Sequence, residues 1–276
     1  MKRSRLSSFF IYVFLVLALI CTLYPFVWAL YSSFKPAEEF MKCQPYELPH
    51  QPTLENYNSL LHSDFPLYFK NSLIVAVITV SCITLLGPMA AYPLTKMQFK
   101  GRTVITKVFM TGIMIPLTVS IVPMYNLFSK LGLRNTYWAL IIPQIGFSIP
   151  TSMFLCMGFL GSLPDSLIEA AYIDGASSFH LFLKVVLPLL KTTLITVATQ
   201  SSVFVWNEYT YANTFISKKA MRTLPIGLNE FVDYHGYRNW GGTLAAICIS
   251  ILPVMLLYFI LSKRVMEGMI AGAVKN

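Results

Sequence analysis

The side chains best able to do chemistry are few and scattered. Four histidines, His50, His62, His180 and His235, are dispersed along the chain, and nothing resembles a nucleophile–base pair or a triad, so no catalytic residue is expected. Five cysteines, Cys21, Cys43, Cys82, Cys156 and Cys248, stand far apart with no CxxC pair, which points away from a disulfide framework or a metal site. Four of them fall within apolar runs, where a thiol acts as a small filler; Cys43 lies outside. No GxxxxGK[ST] run is present, so the chain offers no P-loop and no cofactor of its own is expected. Two stretches do gather useful groups. One is the amphipathic segment 161–191, GSLPDSLIEAAYIDGASSFHLFLKVVLPLLK; the other is the cluster Trp206, Asn207, Glu208, Tyr209 and Tyr211.

The elements that must position them are read from charge. Hydrophobic residues make up 55% of the 276 and charged ones 12%, against roughly a quarter in a soluble domain. The missing charge is cleared from long runs: residues 6–34, 71–95, 108–129, 135–164 and 239–262 hold none, and 192–217 holds only Glu208. Each reaches the ~20 residues that a helix needs to cross a bilayer, and none shows the alternation of a barrel strand. The expectation is an all-α integral membrane protein of six spans, about 9–31, 71–95, 104–128, 136–160, 192–215 and 241–262. They form one transmembrane domain over 1–276. The first run follows Lys2, Arg3 and Arg5 but extends far past a signal-peptide core, so it is expected to be a retained anchor.

Six spans put both termini on one side. Lys96, Lys100, Arg102, Lys107, Lys263 and Arg264 join the basic start in marking that side as cytoplasmic. The net charge of +9 is thus partly a topology signal, and no clustered basic motif suggests nucleic acid. The outer loops are then 32–70 and 216–240, with 161–191 and a tail, 263–276, inside. Eight prolines inside the proposed spans, at 25, 88, 93, 116, 123, 143, 150 and 253, are expected to bend helices.

Segment 161–191 reads as two short helices joined by a sharp turn. Ser162 is placed to cap the first, with Pro164 and Asp165 in its opening turn, and Gly175 is the natural breaker. Ser177 is placed to cap the second, which presents Phe179, Phe182, Leu183 and Val186 on one face; Pro188 leads into the fifth span. The bland alternative is a solvated connector. Small Ala170 and Ala171, the anion Glu169 and the backbone reversal at Gly175 suit instead a rigid protrusion seated in a partner's cleft.

The run Glu169-Ala170-Ala171-x-x-Asp174-Gly175-Ala176, with Leu187-Pro188 beginning twelve residues after Gly175, resembles the EAA loop of permease subunits in binding-protein-dependent ABC importers. WNEYTYA, WGGTLAA and the terminal GMIAGAVK resemble the carbohydrate branch, in particular the smaller permease of maltose- and oligosaccharide-type systems. The chain departs from that branch in ending on Asn276, where a glycine is common. The resemblance implies a multi-pass subunit of a bacterial cytoplasmic membrane, working with a second permease, two ATPase subunits that hold ATP and Mg, and an extracellular sugar-binding protein. It implies ATPase coupling through Glu169, Ala170, Ala171, Asp174, Gly175, Ala176, Leu187 and Pro188, and through tail residues Gly268, Gly272 and Lys275. Trp206, Asn207, Glu208, Tyr209 and Tyr211 become candidates for the substrate pathway, against an interfacial aromatic belt. Asn229, Phe231, Tyr234, Gly236 and Tyr237 become candidates for docking the binding protein, against the same belt. An importer of a non-sugar solute remains the alternative, and a secondary carrier is disfavoured by a single intramembrane acid and no visible repeat.

Overall fold

A computed structural model describes the backbone of residues 5–230 and 239–273, and the side chains of 8–229 and 239–261. Among the described residues every regular element is helical. In chain order they are α1 (Arg5–Ser32), α2 (Glu39–Lys42), α3 (Glu55–Leu61), α4 (Phe65–Lys96), α5 (Arg102–Met114), α6 (Ile121–Lys130) and α7 (Trp138–Ser162). Then follow α8 (Asp165–Ile173), α9 (Ser178–Leu181), α10 (Leu187–Leu189), α11 (Lys191–Trp206), α12 (Thr210–Phe215), α13 (Leu224–Gly227) and α14 (Trp240–Ala273). Four helices, α1, α4, α7 and α14, are long and apolar enough to cross a membrane; two bent pairs bring the total to six if each is one span.

One bent pair changes the sequence reading; the other, Ser178–Leu189 with Lys191–Trp206, bends by 74° at the expected entry to the fifth span. The expected unbroken helix over 104–128 divides at Ile115-Pro116, where the axis turns by 94° between Arg102–Met114 and Leu117–Lys130. Pro116 is extended, and the residue before a proline is pushed out of the helical region; Ile115 obliges with ψ 115°. Pro25, Pro88, Pro93, Pro143, Pro150 and Pro253 remain inside helices. The expected fifth span over 192–215 likewise ends at Trp206, and α12 is a separate short helix. The sixth helix also runs past its expected end at about 262: α14 continues through Gly268 and Gly272 to Ala273. Each glycine costs ~1 kcal/mol in a helix, but extending an existing span avoids the nucleation penalty that an isolated tail helix would meet.

Close contacts divide the chain into two units, 1–67 with 227–252, and 68–226 with 253–276. In the first, buried Asn56 donates to the Ser33 and Lys35 carbonyls, both at 2.8 Å, fixing α3 under the end of α1. The apolar window of α1 itself has no residue buried within the chain. In the second, Ile83, Ala91, Leu140, Ile141, Met153, Cys156, Leu160 and Val197 form a core shared by α4, α7 and α11.

Lipid offers no hydrophobic drive for helix association, so close packing has to hold this core. A Cβ at Gly87 of α4 would lie 1.9 Å from Ser152 Oγ and 2.7 Å from Ser152 Cβ of α7, whereas one at Gly146 meets nothing within 4 Å. Gly87→Val is therefore expected to lose ~1–3 kcal/mol by overpacking, and Gly146→Ala to lose nothing. Thermal unfolding of the purified chain in detergent checks both; equal midpoints would show that α4 and α7 do not depend on this contact.

Candidate functional site

Segment 161–191 folds around its glycine. Gly175 has φ 81°, the Ala176 N–H donates to Ala171 O and the Gly175 N–H to Tyr172 O, both at 3.0 Å. This is the Schellman ending, with Ala171 and Ala176 both packed against the core below it. Ser177 starts the second helix as expected, accepting from the His180 N–H at 3.3 Å. Ser162 does not cap the first. It closes the last turn of α7, donating to Phe159 O at 2.7 Å, and Pro164 takes the cap position with no side-chain bond.

Helical periodicity then sorts the side chains of α8. Ile168 and Ala171 point inward, while Glu169, Ala170 and Ile173 face out, Ile173 being 85% exposed. An isoleucine this exposed beside a glutamate is a knob, and sequence reading did not single it out. Glu169 has no ion-pair partner among the described residues. In the second helix Phe182 and Val186 of the expected face are buried, joined by Leu181, while Phe179 and Leu183 turn outward because Phe182–Val186 is a π-helical turn that shifts the register. Ala171, Asp174, Gly175, Ala176, Ser177, His180 and Lys184 line an open groove of about 510 Å³ between the two short helices. Tyr172 shares a 3.1 Å hydrogen bond with Ser178 across the turn, which holds its phenol below the usual tyrosine range. Leu187 and Pro188 lie in α10, and the chain bends by 74° before α11.

Besides this apolar packing, a charged contact ties the segment to the bundle. Lys96, the last residue of α4, has a side chain only 6% exposed, and its Nζ donates to Leu163 O at 2.7 Å and to Asp165 Oδ1 at 2.5 Å. The end of α4 is itself closed by Arg102, whose Nε and Nη2 donate to Leu94 O at 2.8 Å and Thr95 O at 3.0 Å. The start of α8 is thus tethered to a capped helix end. Sixty-nine residues separate Lys96 from Asp165, so no local pattern announces it.

The second cluster is dispersed into structural duties. Trp206 is buried and sits edge-on to Phe69 at 5.7 Å. Glu208 caps α12, accepting from the Tyr211 and Ala212 N–H groups at 2.7 and 3.1 Å. Tyr211 is fully buried, stacked on Phe215 at 5.4 Å and bonded to Ser120 at 3.2 Å. Asn207 donates to Val203 O, and Tyr209 is exposed. A nearby cleft of about 140 Å³, between α7 and α11, is instead lined by Phe147, Ser148, Thr151, Ser152, Gln200 and Ser201. Exposed Gln200 among these hydroxyls, midway along an apolar helix, marks a face that meets water or another protein. Of the proposed outer-loop group Asn229 is exposed; Phe231, Tyr234, Gly236 and Tyr237, with tail residue Lys275, lie outside the described residues. Gly268 and Gly272 fall within α14.

Over residues 83–269 the chain matches the family described as binding-protein-dependent transport system inner membrane component. It is 35% identical over 266 residues to a probable ABC transporter permease protein, YurM, of Bacillus subtilis, covering 96% of this chain and 88% of that one. It is 32% identical over 280 residues to the trehalose/maltose transport system permease protein MalG of Thermococcus litoralis, covering 100% of both. The fold is similar to a chain in the crystal structure of a bacterial ABC transporter that imports the acidic polysaccharide alginate, with TM-score 0.83, 24% identity, and coverage of 95% of this chain and 99% of that one. The chain belongs to the binding-protein-dependent transport system inner membrane components, the multi-pass permease subunits of ABC importers in the cytoplasmic membrane.

Proposed function

We propose that this permease forms half of a pathway for a sugar or oligosaccharide, beside a second homologous permease, and draws its power from partner ATPase subunits through segment 161–191. The turn at Gly175 carries the reading. It holds a stiff, Schellman-closed hairpin of short helices with Glu169, Ala170 and Ile173 unpartnered and outward, as a protrusion seated in another subunit requires. ATP and Mg belong to the ATPase pair, and an extracellular binding protein delivers the solute. Sugar as substrate is supported by the relatives' names: trehalose/maltose for the Thermococcus litoralis permease and multiple sugar-binding for that of Streptococcus mutans. The hydroxyl- and amide-lined cleft suits such a solute, since each polar group there can exchange a water bond for one to a sugar hydroxyl.

The test is reconstitution of the four-part assembly with the binding protein. Sugar-loaded binding protein is expected to stimulate ATP hydrolysis; stimulation only by amino-acid- or ion-loaded binding protein would overturn sugar as the solute. Gln200→Leu is expected to cut uptake ~5–10-fold, the worth of one net hydrogen bond, with ATPase binding unchanged. Unaltered uptake in that variant would remove the cleft from the pathway.

A further inference from the structure

Glu39, Cys43 and His50 come together in the outer segment although their spacing carries no metal signature. Residues 39 and 43 lie one helical turn apart, and α2 closes with the Cys43 N–H on Glu39 O at 2.9 Å, so carboxylate and thiol share a face. The chain then returns through Pro45 and Pro49. Trp28 Nε1 donates to Pro45 O at 2.8 Å and the Tyr31 hydroxyl to Tyr46 O at 3.0 Å, which hold the returning strand of chain in place. At its end the His50 and Gln51 N–H groups donate to the two Glu39 oxygens at 3.1 and 3.0 Å. The result sets Cys43 Sγ 3.7 Å from His50 Nδ1, and His50 Nδ1 3.9 Å from Glu39 Oε2, with all three donor atoms within 4.8 Å of one another.

We propose that Glu39, Cys43 and His50 form a binding site for a thiophilic divalent cation, with Zn(II) the best match. A tetrahedral Zn(II) with bonds of ~2.3 Å to sulfur and ~2.0–2.2 Å to nitrogen and oxygen needs donors ~3.3–3.7 Å apart, a spacing that small side-chain rotations reach from here. Sulfur, imidazole nitrogen and carboxylate oxygen together favour Zn(II) over Ca(II) or Mg(II), which take oxygen. Glu39 retains free lone pairs after its two backbone bonds, and those bonds aim it, as outer-shell partners aim metal ligands elsewhere. His50 is exposed and leaves the fourth position open to water. On binding, the cation displaces the thiol proton and ties α2 to the 44–50 turn, stiffening the outer segment.

Purified full-length chain in detergent is titrated with Zn(II), and separately with Co(II) as a spectroscopic probe. One Zn(II) per chain is expected, with a thiolate-to-cobalt charge-transfer band and tetrahedral d–d bands. Cys43→Ser and His50→Gln are each expected to weaken binding by more than the ~10–100-fold that loss of an outer-shell partner costs. His50 is exposed and Cys43 only half-buried, so helical content should hold, and peptide-level alkylation supplies a second measurement: Zn(II) should shield Cys43 alone among the five cysteines. Less than stoichiometric Zn(II), or affinity and shielding unchanged in the variants, would overturn the site.

Discussion

Replacing Gly175 with valine is expected to abolish solute uptake while leaving the chain inserted at normal levels. At φ 81° the backbone occupies the left-handed region, where a side chain costs ~1–2 kcal/mol and a β-branched one more. That strain lowers the population of the turn by ~5–30-fold at least. A Cβ at this position meets nothing within 4 Å, so the damage is conformational rather than a clash within the chain. Asparagine tolerates the same φ, and Gly175→Asn should keep much of the activity if the turn is what matters. Glu169→Lys probes the complementary term. Its side chain is exposed and has no ion-pair partner among the described residues, so its own stability should move by less than ~0.5 kcal/mol. Uptake should nevertheless collapse and the ATPase subunits wash off if, as proposed, this anion seats in a partner's cleft, because a lysine reverses its charge. Membrane levels, uptake and ATPase retention are the three readings. Normal uptake in both Gly175→Val and Glu169→Lys would end the coupling role of this turn.

Much of this turn was legible because its determinants are local. Gly175 needs only its own φ, Ser177 reaches the third residue on, and the Schellman bonds span five positions or fewer. The spans were legible for a similar reason: charge is excluded over the length of a bilayer crossing whatever the helices pack against. What escaped depends on partners far away in sequence or on competition between neighbours. Eight prolines look alike in the sequence, yet the chain breaks sharply at Pro116 while six stay inside long helices. Glu208 is open in the sequence to two readings, an intramembrane acid facing a cavity or an acid at the water line of an aromatic belt. Its carboxylate is occupied by the first turn of α12, which also explains why the fifth span stops early. The Glu39–Cys43–His50 cluster depends on a proline-shaped return of the chain, which no residue spacing encodes.

Lys96 is the contact with the most to lose that local pattern does not reveal. In the sequence it is one basic residue among several near the end of a span; in the fold it bonds the Leu163 carbonyl and the Asp165 carboxylate at the very start of α8. A charge-assisted hydrogen bond is worth ~1.5–3 kcal/mol, but Asp165 is 78% exposed, so solvent reduces its share toward the ~1 kcal/mol of a surface pair. Such a sum is too small to unfold a bundle of this size and large enough to free one end of a nine-residue helix. Lys96→Met is therefore expected to preserve insertion and thermal stability, and to lower the solute carried per ATP hydrolysed by ~5-fold or more, the equivalent of ~1 kcal/mol. Lys96→Arg retains donors for both acceptors and should recover part of the loss. Asp165→Asn keeps an acceptor without the charge and should fall between. If the two groups act as one tether, Lys96→Met combined with Asp165→Asn will be no worse than Lys96→Met alone, since contacting residues do not add. A stoichiometry unchanged in Lys96→Met would mean that α8 is positioned by Ile168 and the Gly175 turn without help from α4. Additive losses in the double variant would mean that the lysine and the aspartate serve separate contacts.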